Sequence, residues 1–158
     1  MLYLIGMGLY DEKDISLRGY EALNNSETIF LDHYTHVVNE EAVKRLENTL
    51  GKKIIKLERA ELEGEKTILD AAKDKTVSLI VGGDPLIATT HTSLLLSCIK
   101  AGIKYEIIHS SSIFSAAIGE SGLQTYKFGK SVTLVFWEEK YKPTTTSVSY
   151  THLTLPTN

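Results

Sequence analysis

Thr76-Val77-Ser78-Leu79-Ile80-Val81-Gly82-Gly83-Asp84-Pro85 is the stretch on which the fold turns. Its first six residues are a short apolar and β-branched run, bounded at the far end by glycine, an acid and proline. That is the pattern of a strand buried on both faces. Working backwards, 65–73 reads as a helix and 53–57 as a strand. Asn39 caps a helix that has Glu40 and Glu41 in its first turn. Val43, Leu46 and Leu50 line one face of that helix, and Gly51 stops it. Residues 28–31 form a further strand. Ile15, Leu17, Tyr20 and Leu23 recur at helical spacing behind Asp14, the expected N-cap. Residues 2–5 are a first strand, ending in Gly6-Met7-Gly8.

Working forwards, 91–101 is an apolar helix closed by Gly102, 105–108 a fifth strand, 112–119 a short helix and 131–136 a last strand. Strands alternating with helices predict an α/β fold, a mostly parallel sheet with helices on both faces.

Composition bounds the function. With 42% hydrophobic and 23% charged residues, the 158-residue chain can build one core of ordinary size. The formal charge is -3, from 17 basic and 20 acidic residues. No basic stripe draws it to a phosphate backbone, so a small molecule or a folded protein is the expected partner and nucleic acid is not. The single cysteine, Cys98, lies in an apolar run and reads as core; a disulfide within the chain is excluded. No apolar run approaches the roughly 20 residues that cross a bilayer. The start of the chain has no basic leader and no small-residue cleavage site, so the expected location is the cytoplasm, away from membranes. From 144 to 158 the sequence lacks Asp, Glu, Lys and Arg and has no period. It reads as an unstructured or non-native tail.

In open parallel sheets ligands bind beyond the carboxyl ends of the strands. Three loops there carry unusual residues: Gly6-Met7-Gly8-Leu9, Gly82-Gly83-Asp84-Pro85 and His109-Ser110-Ser111-Ser112. A dinucleotide fingerprint would need glycine where Asp11 stands, and a carboxylate there repels a pyrophosphate. Asp32, at the end of the second strand, stands where a ribose-binding acid would, but alone it is a weak sign. Asp84 has two readings: a turn-former, or a carboxylate for a cationic or hydroxyl-rich ligand. Ser110 to Ser112, ahead of a helix, suit a carboxylate. A zwitterionic ligand would satisfy both loops. Thr89-Thr90-His91 reads as a helix cap. His36, His109 and His152 have no metal-ligand spacing.

Several of these segments together resemble one family. Met1 to Leu9, Asp11 to Ser16, Gly83-Asp84-Pro85-Leu86, Ala88-Thr89-Thr90-His91 and Gly122 to Gly129 are similar, in order and spacing, to diphthine synthases, of the tetrapyrrole-methylase-like class. The similarity runs from Met1 to about Pro143. It implies that the chain is the N-terminal part of a two-domain methylase, usually a homodimer, with S-adenosylmethionine folded into the cleft between the domains. By position it implies cofactor contacts from Leu9, Asp84, Ile87, Ser112 and Ile113. The implied substrate is the modified histidine of translation elongation factor 2, carrying an aminocarboxypropyl group. Its amine and then its carboxylate would be methylated without a metal. Val135-Phe136-Trp137 is more similar to eukaryotic members, which complete a methyl ester.

Residues 1–143 would hold the cofactor-binding domain and the start of the second domain, with 144–158 outside the family pattern. The chain alone is therefore expected to be inactive. Two rivals stay open: a non-catalytic ligand-binding or interaction domain, and a methylase of the same class acting on a tetrapyrrole.

Overall fold

The structure, a computed structural model, describes residues 1–37, 39–129 and 131. Elements follow in the order β1 (Leu2–Gly6), α1 (Leu17–Asn25), β2 (Thr28–Asp32), α2 (Glu40–Leu50), β3 (Ile54–Leu57), α3 (Arg59–Gly64), α4 (Lys66–Asp74), β4 (Val77–Val81), α5 (Thr92–Lys100), β5 (Tyr105–Ile108) and α6 (Ile113–Glu120). The chain divides into two compact units, Met1–Ala117 and Ile118–Asn158.

The first unit is a five-stranded sheet in the order β3-β2-β4-β1-β5, with every pairing parallel. All five residues of β4 are buried, as its sequence requires of a central strand covered on both faces. Side chains alternate across the sheet. Leu2, Leu4, Val77, Leu79 and Val81 join α4 and α5 in one core, through Ile68, Ala72, Leu94, Leu95 and Cys98. Ile5, Ile29, Leu31 and Ile80 join α1 and α2 in the other, through Leu23, Val43, Leu46 and Leu50. Right-handed crossovers explain the sorting. The chain steps one way across the sheet from β1 to β3 and the other way from β3 to β5, so its helices change face. Ser78 is buried in the middle of β4; its hydroxyl meets that of Ser26 at 2.6 Å, and Ser26 Oγ also donates to Ala22 O.

Asn39 caps α2 as expected, accepting from the amides of Glu41 and Ala42, and Gly51 ends it. Three local expectations change. Ser16, not Asp14, caps α1, by accepting from the Gly19 amide. Residues 59–64 form α3, which the sequence hides because none of its residues is buried. The helix expected over 65–73 begins at Lys66, and Glu65 turns left-handed between α3 and α4 (φ 56°). The Glu65 carboxylate accepts from the hydroxyls of Ser93 and Ser97, at 2.6 and 2.5 Å, which holds a conformation that a non-glycine residue rarely adopts.

In the second unit, Ser121 Oγ donates to Ile118 O, and a 3₁₀ turn spans Thr125–Lys127. The strand expected over 131–136, the Val135-Phe136-Trp137 ending and the 144–158 tail lie outside the described residues.

Candidate functional site

β1 and β4 are neighbours whose connections leave toward opposite faces, α1 on one side and α5 on the other. The crevice between two such strand ends is where open α/β sheets take their ligands. Here the two loops are stitched together. The Gly8 amide donates to Gly83 O at 3.3 Å and the Gly83 amide to Gly8 O at 2.9 Å. Both residues have positive φ, 86° and 67°, a conformation costly for a side-chain-bearing residue. Asp14 lies beneath: its Oδ2 accepts from the amides of Leu9 and Tyr10, at 3.0 and 2.8 Å. The acid expected to cap a helix instead shapes the first loop.

Asp84 follows at the tip of β4 and is almost fully buried. Oδ1 accepts from the Leu86 amide at 3.0 Å, while Oδ2 meets His109 Nδ1 at 2.7 Å and the Ser110 amide at 3.4 Å. The turn-forming reading holds, and the same carboxylate also ties in the loop after β5. The His109 side chain is 65% exposed, so this pair faces the opening.

Around it, Leu9 is half-buried, while Ile87 and Ile113 are 45% and 69% exposed. Ser112 precedes α6, and its hydroxyl accepts from the Phe114 amide. Apolar side chains left bare beside a buried carboxylate and open glycine backbone form an amphipathic edge. A methyl group added at Gly83 would meet nothing nearer than Ser111 O at 3.8 Å, so its backbone can lie against a ligand.

A second group of polar residues, unpaired in the sequence reading, assembles at the tip of the neighbouring strand. Asp32 is wholly buried. It accepts from the amides of Tyr34 and Thr35, at 2.8 and 2.9 Å, and from the Thr35 hydroxyl, and it lies 3.3 Å from His91 Nε2. Burial opposes its charge, but these donors outweigh burial and hold the carboxyl well below the usual carboxylate range. With its oxygens so occupied, Asp32 is closed to a ribose. His91 stands at the N-cap position of α5 but makes no side-chain capping bond; its imidazole turns to Asp32. His36 accepts the Gly82 amide on Nδ1 at 3.2 Å. Burial lowers its pKa, partly offset by the Asp32 charge. The Asp32–His91 and His36–Gly82 contacts could not be read from spacing, because each joins residues far apart in the chain.

The profile of the Tetrapyrrole (Corrin/Porphyrin) Methylases matches residues 1–154. The chain belongs to this family. Its members use S-adenosylmethionine as methyl donor. The chain is 44% identical over 144 residues to the diphthine synthase of Methanothermobacter thermautotrophicus, a span covering 91% of this chain and 54% of that protein. It is 42% identical to the diphthine methyl ester synthase of Saccharomyces cerevisiae, over 90% and 48% of the two chains. The crystal structure of an Entamoeba histolytica protein aligns with a TM-score of 0.81 at 45% identity, over 94% of this chain and 56% of that one. A diphthine synthase crystal structure aligns at 0.75 and 38% identity, over 81% and 51%. The chain spans about half the length of the curated relatives it matches. The alignments place these structures in the same α/β fold as the one described here.

Proposed function

We propose that this protein is a diphthine synthase, which methylates the modified histidine of translation elongation factor 2 with S-adenosylmethionine as donor. The observation that carries the reading is the stitched edge at β1, β4 and β5, with Asp84 buried among exposed apolar side chains, in a chain 40–44% identical to several diphthine synthases. Leu9, Asp84, Ile87, Ser112 and Ile113 would hold the cofactor. When bound, S-adenosylmethionine supplies a methyl group already activated on a positive sulfur, so no metal is needed.

The chain's own residues then have to place and shield. The Gly8–Gly83 bonds and the Asp84–His109 pair fix the loops in one geometry. Holding nucleophile and methyl carbon in line can lower a barrier by about 7–11 kcal/mol. Exclusion of water leaves the substrate amine, and afterwards its carboxylate, free to attack.

This reading also carries a cytoplasmic location, action on a folded protein and not on nucleic acid or a membrane surface, and a homodimeric full-length enzyme. Its domain plan places the cofactor half and the start of a second domain within 1–143. Transfer of labelled methyl groups to purified elongation factor bearing the aminocarboxypropyl histidine tests it. We expect little transfer from the 158-residue chain alone and turnover once the remaining half of a relative is joined to it. Label passing only to a tetrapyrrole would overturn the substrate.

A further inference from the structure

His36 touches the Gly82–Asp84 turn from the side away from β1 and β5. Its imidazole packs closely against Gly82: a Cβ there would sit 2.4 Å from ring carbons Cγ and Cδ2, so only glycine lets the ring approach. Because Nδ1 accepts the Gly82 amide, the ring's hydrogen is on Nε2, and that atom is buried without a partner among the described residues. The ring is therefore held as an acceptor. A second proton would point Nδ1–H at the Gly82 N–H, donor against donor. The titratable groups facing the ring are Asp32 at the end of β2, His33 beside it, and His91 at the start of α5. Only Asp32 favours the cation, and its oxygens already serve Tyr34, Thr35 and His91. Gly82 leads directly into Gly83, which is bonded to Gly8, and into Asp84, which is bonded to His109 and Ser110. Whatever moves Gly82 moves all three loops.

We infer that His36 is a positioning residue for the cofactor edge: as a neutral acceptor it holds the Gly82 amide, and its protonation releases the Gly83–Asp84 turn. The inference rests on the functional reading for the identity of the ligand, but not for the bond itself.

Two arms test it on the 158-residue chain. In the ligand-free protein, nuclear magnetic resonance follows the Gly82 amide proton and the His36 ring through a pH titration. The amide shift should move with the His36 ring; a Gly82 amide indifferent to that ring overturns the inference. In the second arm, calorimetry measures S-adenosylhomocysteine affinity at about pH 7.5 and about pH 5, on either side of an ordinary histidine. Wild type should lose roughly tenfold in affinity. His36→Asn, whose Oδ1 replaces Nδ1 as a non-titrating acceptor, should bind like wild type at the higher pH and lose the pH dependence. His36→Ala should bind weakly at both. A flat wild-type profile overturns the inference, and a His36→Asn slope equal to that of wild type assigns the pH effect to another group and overturns it as well. No binding by wild type at either pH counts against the cofactor reading alone, and the first arm then decides. It also decides if the variants fail to fold.

Discussion

Two carboxylates stand at the tips of neighbouring strands, Asp32 on β2 and Asp84 just past β4, and they are used in opposite ways. Asp32 is sealed: no part of it meets solvent, and backbone, hydroxyl and imidazole groups occupy its oxygens. Asp84 is nearly as buried, yet its imidazole partner is mostly exposed and its flanks are bare apolar side chains. An acid at a strand end is therefore not by itself a ligand group. What separates the two is whether donors within the fold already satisfy the charge or leave one side open.

The largest way to break the comparison is Asp32→Ala. It strands the amides of Tyr34 and Thr35, the Thr35 hydroxyl and the buried His91 imidazole, and leaving a buried polar group unsatisfied costs about 1–3 kcal/mol. Denaturant unfolding should show that loss directly; a drop below about 1 kcal/mol would mean that the Asp32 cluster is not structural. Gly6→Ala strikes the seam between the strand ends. The new Cβ would lie 2.5 Å from Gly83 O and 2.6 Å from Ser110 Cβ, neither of which can swing aside. Overpacking of this kind costs about 1–3 kcal/mol, and both stability and affinity for S-adenosylhomocysteine should fall.

Asp84→Ala should do the reverse of Asp32→Ala. Its hydrogen-bonding partners lie at the opening, so melting should change less, while loss of one charge-assisted bond worth about 1.5–3 kcal/mol weakens ligand binding tenfold or more. An unchanged dissociation constant would remove Asp84 from the site.

Acid gives the smallest and most graded test. His36 is held below its ordinary value by burial, so folding disfavours its proton, and stability should begin to fall as pH drops through about 6.5. Asp32 is also depressed. Its contribution is intact above about pH 4 and is lost as pH falls further, toward its folded value. Thermal melts across pH should therefore show two declines. His36→Asn should remove the upper one and leave the lower in place.

Much of the scaffold was legible in the chain because it depends on neighbours in sequence. The strand at 77–81, the Asn39 cap and Gly51 stop of α2, the buried Cys98 and the parallel α/β class all rest on local periodicity and local backbone preference. The cap of α1 was misplaced by two residues because both Asp14 and Ser16 are good caps, and only the loop folding back onto Asp14 chooses between them. α3 was invisible because Leu62 is its one apolar contact with the core and none of its residues is fully buried, so it carries no period. The resemblance to diphthine synthases also came from sequence, through motifs in order.

Tertiary structure alone decided which polar groups meet. Asp84 with His109, His36 with Gly82 and Asp32 with His91 are pairings set by the strand order β3-β2-β4-β1-β5, which lays the ends of β2, β4, β1 and β5 side by side. A linear pattern carries the period of each strand but not the order in which strands lie. Order comes from burying both faces of the sheet with right-handed crossovers, a property of the whole chain at once.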